Sequence, residues 1–190
     1  MSMKMPVTQE VVAHIDGGSR GNPGPAAYGV TVCDAQGAHL ASFSKFLGRA
    51  TNNVAEYQGL LAALDYALER GHARLKVISD SELLARQITG RYKVKNPDLK
   101  ILHGRARSLI EQLDSFSIQH VLREKNREAD RLVNEALDAG EGKKASPAPH
   151  PPAPQSLRAS ATYRQGVLKL DQTLPLDEGE EISVEIRRRK

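Results

Sequence analysis

The sequence lacks tryptophan and long apolar runs, and it has very little cysteine. Among its 190 residues there is one cysteine, and aromatic residues make up 4%. A single cysteine cannot form an internal disulfide, so we expect a reducing compartment and interpret Cys33, in the apolar run YGVTVC, as a small core residue. No run approaches the ~18 apolar residues of a membrane span, and no apolar signal region opens the sequence. We therefore expect a cytoplasmic protein with no membrane partner.

Soft metal ligands are scarce as well. The six histidines are scattered without ligand spacing, which argues against a zinc site. Hydrophobic residues make up 39% of the sequence, enough for a buried core, and the net charge is +4. The segment from Arg86 to Arg107 holds seven basic residues and one acid, Asp98. Such a segment can neutralise nucleic-acid phosphates, although a solvated surface explains it equally well.

Hydrophobic periodicity predicts alternating strands and helices over the first 140 residues. We expect strands at 10–16, 27–34, 38–46, 75–79 and 116–122, and helices at 52–70, 81–88, 98–113 and 126–139. Asn52 and Asn53 offer a cap for the first helix, and Gly71 ends it. The order βββαβααβα implies a mixed α/β (α+β) fold in which a mixed sheet is flanked by helices.

The composition changes sharply after Gly140. We divide the chain into a domain at 8–140, a linker rich in Pro, Ala and Lys at 141–157, and a small β-rich C-terminal extension at 158–190. Short strands are expected in the extension at 161–164, 167–170 and 181–186. Because roughly thirty residues are too few for comfortable stability, we expect the extension to pair with another copy or to dock on the larger domain.

Two carboxylates in the first half of the domain are candidate site residues. Asp16 ends a β run and precedes a glycine-rich loop that permits close approach of a ligand, although a plain turn explains the same pattern. Glu56 shares the apolar face of its helix with Leu60 and Leu64. A carboxylate directed toward a core is costly, unless the end of the helix has cleared the core.

Two further carboxylates lie later in the chain. Asp80 directly follows a buried strand, where it can instead serve as a helix cap. Asp130 lies with Val133 on the inward stripe of the last helix, and the alternative is a surface pairing with Arg127 or Arg131.

Together the four acids are better explained by convergence at one cleft. Two of them end strands and two lie near the beginnings of helices, places that meet at the edge of a sheet. Clustered carboxylates repel one another unless cations neutralise them. Oxygen ligands favour hard divalent ions, which indicates Mg²⁺ or Mn²⁺.

Four segments resemble, in order and spacing, the signatures of type 1 ribonuclease H: IDGGSRGNPGPAAYG, TNNVAEYQGLLAAL, VISDSELLARQI and REKNREADRLVNEAL. The resemblance covers about residues 10–139. It implies a ribonuclease H-like fold with a five-stranded mixed sheet. It also implies an endonuclease that hydrolyses the RNA strand of RNA–DNA hybrids and leaves 5′-phosphate and 3′-hydroxyl ends.

The same resemblance implies two-metal-ion catalysis by Asp16, Glu56, Asp80 and Asp130, with two Mg²⁺ for which Mn²⁺ can substitute. Asp16 would bridge both ions. Asp80 and Asp130 would each ligate one ion, and Glu56 would also contact the RNA.

Polar residues near the carboxylates match positions that the family uses to bind substrate. Asn22, Asn52 and Asn53 match residues that line the minor groove of the hybrid, where hydrogen bonds to 2′-hydroxyls distinguish RNA from DNA. Helix capping is a compatible alternative for the adjacent asparagines. Thr51 matches a residue that holds a phosphate of the DNA strand.

The chain departs from many bacterial relatives in the loop before the last carboxylate. That loop is shortened to Arg123-Glu124-Lys125-Asn126 and lacks a histidine thought to assist product release. The sequence therefore resembles the shorter form of the family, in which Arg123 can partly substitute, and we expect Arg123 and Asn126 to bind substrate. His120 is interpreted as structural. Residues 92–96 (YKVKN) are expected to bind phosphate in place of a tryptophan-bearing basic handle.

The segment TYRQGVLKLDQTLPLDEGEEISVEI resembles a short antitoxin-like β family. This resemblance implies self-association by strand exchange, and a tail with an incidental β pattern is the alternative. We expect the nuclease domain itself to be monomeric. The closing residues 187–190 (RRRK) can add non-specific affinity for nucleic acid.

Overall fold

The computed structural model describes residues 10–142 and the backbone of two short strands at 161–164 and 167–170. The described residues divide into two units, which are considered separately. Most of the expected linker, the expected strand at 181–186 and the basic residues 187–190 lie outside the described residues.

The larger unit is built on a five-stranded sheet. Its strands are β1 (Glu10–Ser19), β2 (Gly24–Asp34), β3 (His39–Ala50), β4 (Arg74–Ser79) and β5 (Ser115–His120). In the order β3-β2-β1-β4-β5, β2 is antiparallel to both of its neighbours, whereas β4 runs parallel to β1 and β5 parallel to β4. The mixed sheet expected from the sequence is therefore confirmed.

Four α-helices accompany the sheet: α1 (Asn52–Glu69), α2 (Glu82–Ile88), α3 (Pro97–Ile110) and α4 (Arg127–Gly140). A single 3₁₀ turn at Arg123–Lys125 precedes α4. No helix within residues 10–142 combines the length and the apolar character needed to cross a bilayer.

The core lies between the sheet and the helices α1 and α3. Alternate residues of β1, namely Val11, Ala13 and Ile15, are buried, and they share one hydrophobic cluster with Leu60 and Leu64 of α1. Because side chains alternate across a strand, the intervening residues of β1 face the opposite side of the sheet.

The helix α4 covers part of the opposite face. Val133, Ala136 and Leu137 form a second buried cluster with Ala27 of β2, and the ring of Phe46 packs against it. A methyl group on Gly140 would lie 2.2 Å from that ring, so the end of α4 rests directly on β3. The two helices that carry Glu56 and Asp130 thus approach the sheet from opposite faces.

The strands β1 to β3 are longer than the sequence predicts. The pairing of β1 with β2 continues through Gly17 and Gly18 to Ser19, so the glycine-rich stretch begins as strand rather than as a turn. Cys33, expected in the core, is half-buried, and burial raises the pKa of its thiol.

The second unit is described only as the antiparallel pair β6 (Ala161–Arg164) and β7 (Val167–Leu170). Both strands lie where the sequence predicts them.

Candidate active site

The four carboxylates singled out by the sequence line one cavity of about 270 Å³, which Asp16, Glu56, Asp80 and Asp130 share. Each comes from a different element: β1, α1, the end of β4 and α4. The structure therefore brings all four acids to one cavity, although Asp16 lies within β1 rather than at its end, because the pairing with β2 continues to Ser19.

Gly17 allows the first turn of α1 to lie against β1. A methyl group on Gly17 would lie 2.2 Å from the backbone nitrogen of Glu56 and 2.3 Å from the carbonyl carbon of Ala55, a separation that real atoms do not tolerate. Because Gly17 follows Asp16 directly, this close approach places Glu56 beside Asp16.

Gly29 likewise allows α4 to lie against the sheet. Strand pairing sets Gly29 opposite Asp16. A methyl group on Gly29 would lie 2.5 Å from the carbonyl oxygen of Ala129 and 2.7 Å from Cβ of Leu132. The backbone of α4 therefore rests on β2, and Asp130 arrives next to Asp16.

Asp80 reaches the cavity through strand register. The parallel pairing of β1 with β4 sets Ile15 opposite Ser79, so the next residues, Asp16 and Asp80, lie side by side at the C-terminal end of β4. Asp80 does not cap α2, because the cap is Ser81, whose hydroxyl oxygen accepts the backbone N–H of Leu84 at 3.2 Å. The capping alternative for Asp80 is therefore wrong.

Both oxygens of Glu56 are held by neighbours. The side-chain amide of Asn52 donates to Oε1 at 2.7 Å, and the hydroxyl of Ser81 donates to Oε2. Ser81 is not among the site residues that the sequence predicts. Its position before a helix marks it as a cap, but no local pattern predicts its second contact, with a residue 25 positions away.

Burial and mutual repulsion disturb the ionisation of two of the acids. The pKa of Asp16 is raised to about 7, first by burial and then by the charges of Asp80 and Asp130, against a stabilising N–H from Gly17. Burial likewise raises the pKa of Glu56 to about 7, and its bonds to Ser81 and Asn52 only partly offset this. A proton or a cation would relieve the repulsion.

Arg123 pairs with Asp130. Its guanidinium donates to Oδ1 through Nη2 and, at 3.1 Å, through Nε. Arg131 instead bridges Glu128 and Glu135 on the same helix, so the surface pairing considered for Asp130 is wrong. No three acidic, histidine or cysteine side chains in residues 10–142 are gathered tightly enough, as they stand, to hold a metal ion. The Arg123 side chain is 73% exposed.

Asn126 lies behind the carboxylates. Its side chain is 2% exposed, and its amide donates to the carbonyl of Ile15 at 2.8 Å and to Asp80 Oδ1 at 3.4 Å. This corrects the expectation that Asn126 binds substrate, because its amide is committed to the protein. Burial lowers the pKa of the neighbouring His14, and the Asn126 side chain opposes this shift. His14 lies near Asn126, but no donor among the described residues is placed to form a hydrogen bond with the buried side-chain oxygen of Asn126.

Four of the residues expected to bind substrate, Asn22, Thr51, Asn52 and Asn53, lie around the beginning of α1. Thr51, not the asparagine pair, caps the helix, since its hydroxyl accepts the N–H of Val54 at 3.3 Å. Asn22 is exposed, and its side-chain oxygen accepts the backbone N–H of Asn52 at 3.2 Å. Asn53 lies half-buried in the same first turn. The four side chains are thus grouped beside Glu56.

His120 and the basic segment lie apart from these contacts. His120 is the exposed last residue of the edge strand β5, opposite Ser79, so it lies in a strand as the sequence predicts. Arg86 pairs with Glu82 and lies over the ring of Tyr92, whereas Lys93 and Lys95 are exposed.

Two family models match the chain. One, described as Reverse transcriptase-like, matches residues 14–136. The other, described as AF2212-like, matches residues 160–190. The two matches fall on the larger unit and on the C-terminal part separately.

Similar proteins are found for the larger unit. Over 131 residues the chain is 49% identical to the bifunctional protein Rv2228c of Mycobacterium tuberculosis, which covers 68% of this chain. The chain spans 36% of that relative's length. The crystal structure of RNase H1 from the archaeon Halobacterium salinarum is 45% identical, with a TM-score of 0.67, covering 68% of this chain and 98% of that one. A structure of LC11-RNase H1 in complex with RNA/DNA hybrid is 41% identical, with a TM-score of 0.66, covering 69% of this chain and 99% of that one.

Proposed function

The chain belongs to the type 1 ribonuclease H family, and from this premise we propose that it is an endonuclease that hydrolyses the RNA strand of RNA–DNA hybrids. The products are RNA ends with 5′-phosphate and 3′-hydroxyl groups. The observation that carries the proposal is the convergence of Asp16, Glu56, Asp80 and Asp130 on one cavity. The hybrid bound to LC11-RNase H1, a similar protein, supports the choice of substrate.

The donor set fits two magnesium ions, for which manganese can substitute. Among the described residues that line the cavity, the acids are oxygen ligands of the kind that hard divalent ions prefer, and neither histidine nor cysteine is present. Asp16, Asp80 and Asp130 would hold the ions, and Glu56 would complete the set of oxygen ligands. When bound there, the ions would supply the charge that activates a water molecule and stabilises the leaving 3′-oxygen.

The protein's own side chains prepare the carboxylates. Asn52 and Ser81 orient the two oxygens of Glu56, and Asn126 orients Asp80. Arg123 pairs with Asp130, and ligation of a metal by this carboxylate would require the ion pair to open. Once released, the exposed guanidinium is available to the phosphates of the substrate.

Substrate selection is assigned to the polar group at the beginning of α1. Asn22, Asn52 and Asn53 contact 2′-hydroxyls of the RNA strand in the minor groove, and Thr51 holds a phosphate of the DNA strand. The bond from the Asn52 backbone to Asn22 supports this grouping, because it joins two of the residues before substrate arrives.

The proposal also covers the location, the oligomeric state and the domain division of the protein. The protein acts in the cytoplasm, and its nuclease domain, residues 8–140, is monomeric. The linker at 141–157 separates this domain from the extension at 158–190, through which copies of the chain associate. The separate family match at 160–190 supports this division.

A cleavage assay tests the proposed activity. The full chain is incubated with end-labelled RNA–DNA hybrid, double-stranded RNA or duplex DNA, in Mg²⁺, Mn²⁺ or EDTA. We expect cleavage of the RNA in the hybrid with either metal and none in EDTA. Asp114→Asn, a change in an exposed acid outside the cavity, serves as the control and should cleave normally. Equal cleavage of all three duplexes, or an intact hybrid, contradicts the proposal.

A further inference from the structure

The C-terminal end of α4 has an unfavourable charge. Asp138 lies in its last turn, Glu141 is its C-terminal cap residue, and the last turn contains no basic residue. The carbonyl groups at the end of a helix already present a partial negative charge, so two acids there repel it and each other. A cation supplied from elsewhere in the fold would remove this repulsion.

Arg20 supplies that cation from the loop after β1. Its Nη2 lies 2.7 Å from Oδ1 of Asp138, and its Nη1 pairs with Glu141. The guanidinium thus bridges two acids that lie 118 and 121 positions away in the chain. Its side chain is about one-third exposed, and it borders the cavity that holds the four carboxylates.

The same loop carries Asn22, and its backbone is closed tightly. The N–H of Arg20 donates to the carbonyl of Pro25 at 2.8 Å. A methyl group on Gly24 would lie 2.0 Å from the carbonyl oxygen of Arg20, so the ends of the loop touch. On its other side the loop is joined to α1 through the bond from the Asn52 backbone to Asn22. The loop is therefore tied to both helices that carry site carboxylates.

We propose that Arg20 is a positioning residue, whose ion pairs with Asp138 and Glu141 tie the loop to α4 and so set the place of Asn22 in the substrate groove. This inference rests on the proposed function, because Asn22 is there assigned to the RNA strand. Arg20 touches neither the reacting phosphate nor a metal. Its effect is on the affinity for hybrid rather than on the chemical step.

A direct contact between Arg20 and a substrate phosphate is the competing explanation, and the two make opposite predictions. If Arg20 acts through the acids, then removing the acids weakens hybrid binding even though the protein becomes more positive. If Arg20 contacts phosphate, removing the acids frees its charge and strengthens binding.

Steady-state kinetics on hybrid separate the two explanations. We compare Arg20→Gln, the double variant Asp138→Asn/Glu141→Gln, and the charge-reversed pair Arg20→Glu/Asp138→Arg, which leaves the net charge unchanged. We expect KM to rise about fivefold in Arg20→Gln and in the double acid variant, because each loses a partly exposed, bridged ion pair. In both variants kcat should stay within about twofold of the unaltered protein. The charge-reversed pair should recover most of the loss.

Arg131→Gln is the matched control, because Arg131 also bridges two acids on α4, but both lie within that helix. It should leave KM within about twofold of the unaltered protein, since no loop is released. A lower KM in the Asp138→Asn/Glu141→Gln variant, or no recovery in the charge-reversed pair, overturns the inference.

Hydrogen exchange provides a readout that does not need activity. In Arg20→Gln and in the double acid variant, the backbone N–H groups of Arg20, Gly21, Asn22 and Gly24 should exchange at least about fivefold faster, while those of β4 stay unchanged. Arg131→Gln should leave the loop protected. Unchanged loop exchange refutes the tie even if the protein cleaves hybrid, and faster exchange without any cleavage refutes only the proposed function.

Discussion

At the scale of single residues, Asp16 combines burial with two like-charged neighbours. It is 8% exposed, and its pKa is raised to about 7 from an ordinary value of 3.8. Because the folded state retains a proton that the unfolded state releases at lower pH, the stabilising contribution is complete below about pH 4 and is lost as pH rises through 7.

Removing the charge of Asp16 should remove this loss of stability at high pH. In EDTA, Asp16→Asn should be more stable than the unaltered protein at pH 8, by on the order of 2 kcal/mol, and the difference should shrink toward pH 4. The same substitution should abolish cleavage of hybrid. Urea unfolding across this pH range measures the stability difference. A variant that is less stable than the unaltered protein at pH 8 would show that repulsion does not dominate at Asp16.

Ser81 carries two contacts on one hydroxyl, since it caps α2 and donates to Glu56. Ser81→Ala should therefore cost about 1 kcal/mol for the lost cap. It should also lower kcat about tenfold, because Glu56 loses one of the two groups that orient it. Ser81→Thr keeps both contacts and should restore most of kcat.

Ser108→Ala, in the exposed part of α3, provides the control for the loss of a helix hydroxyl. Parallel melting curves and kcat values for the three variants measure the two effects. If Ser81→Ala loses stability but keeps kcat, the contact with Glu56 has no role in orientation.

At the scale of elements, the approach of α4 to the sheet depends on Gly29. Gly29→Ala would drive Cβ into the backbone of α4, which we expect to cost about 1–3 kcal/mol and to shift Asp130. Activity should then fall more than stability alone explains, because the shifted residue belongs to the site.

Gly104→Ala is the matched control for this prediction. It lies in α3, and an added Cβ there meets nothing within 4 Å. That substitution should stabilise the protein by about 0.5–1 kcal/mol, since alanine favours helix, and should leave cleavage unchanged. Equal activity of the two variants at a temperature where both are folded would contradict the role of Gly29.

Much of this architecture could be predicted from local sequence patterns. Alternation in β1 identifies its buried face, and the apolar stripes of α1 and α4 place Glu56 and Asp130 at the cavity. The ends of elements were harder to predict. Strand pairing extends β1 through glycines that read locally as a turn, and Thr51 caps α1 one residue before the expected asparagines.

Contacts between distant segments could not be predicted in the same way. Arg20 meets Asp138 across 118 residues, and Ser81 meets Glu56 across 25. The sequences around Arg20 and Ser81 contain no unusual pattern, so only the folded structure identifies the residues that they contact. Asn126 shows the converse error, because a residue within a recognised motif serves the protein interior rather than the substrate.

At the scale of the whole molecule, residues 10–142 contain all the parts of the site described above. These are the four carboxylates, the side chains that contact them, and the ion pairs that join Arg20 to α4. A chain that ends at Gly142 should therefore cleave hybrid with kcat and KM within about twofold of the full chain. The deletion must keep Glu141, because Arg20 pairs with it.

A second truncation that ends at Gly140 tests this boundary. It should raise KM while the chain ending at Gly142 does not, since only the shorter chain loses a partner of Arg20. Loss of cleavage in both truncations, with unchanged melting of the larger unit, would mean that the C-terminal extension contributes to the reaction.

The pairing of Asp16 with Gly29 also determines where this fold can tolerate a change of length. A slip of one residue between β1 and β2 would turn Asp16 to the opposite face of the sheet, away from Asp130. Extra residues between Ser19 and Gly24 must therefore be absorbed inside a loop whose ends already touch. The turn between Asp34 and Ala38, at the far end of β2, is exposed and free of this constraint. Insertions, affinity tags or grafted loops belong there.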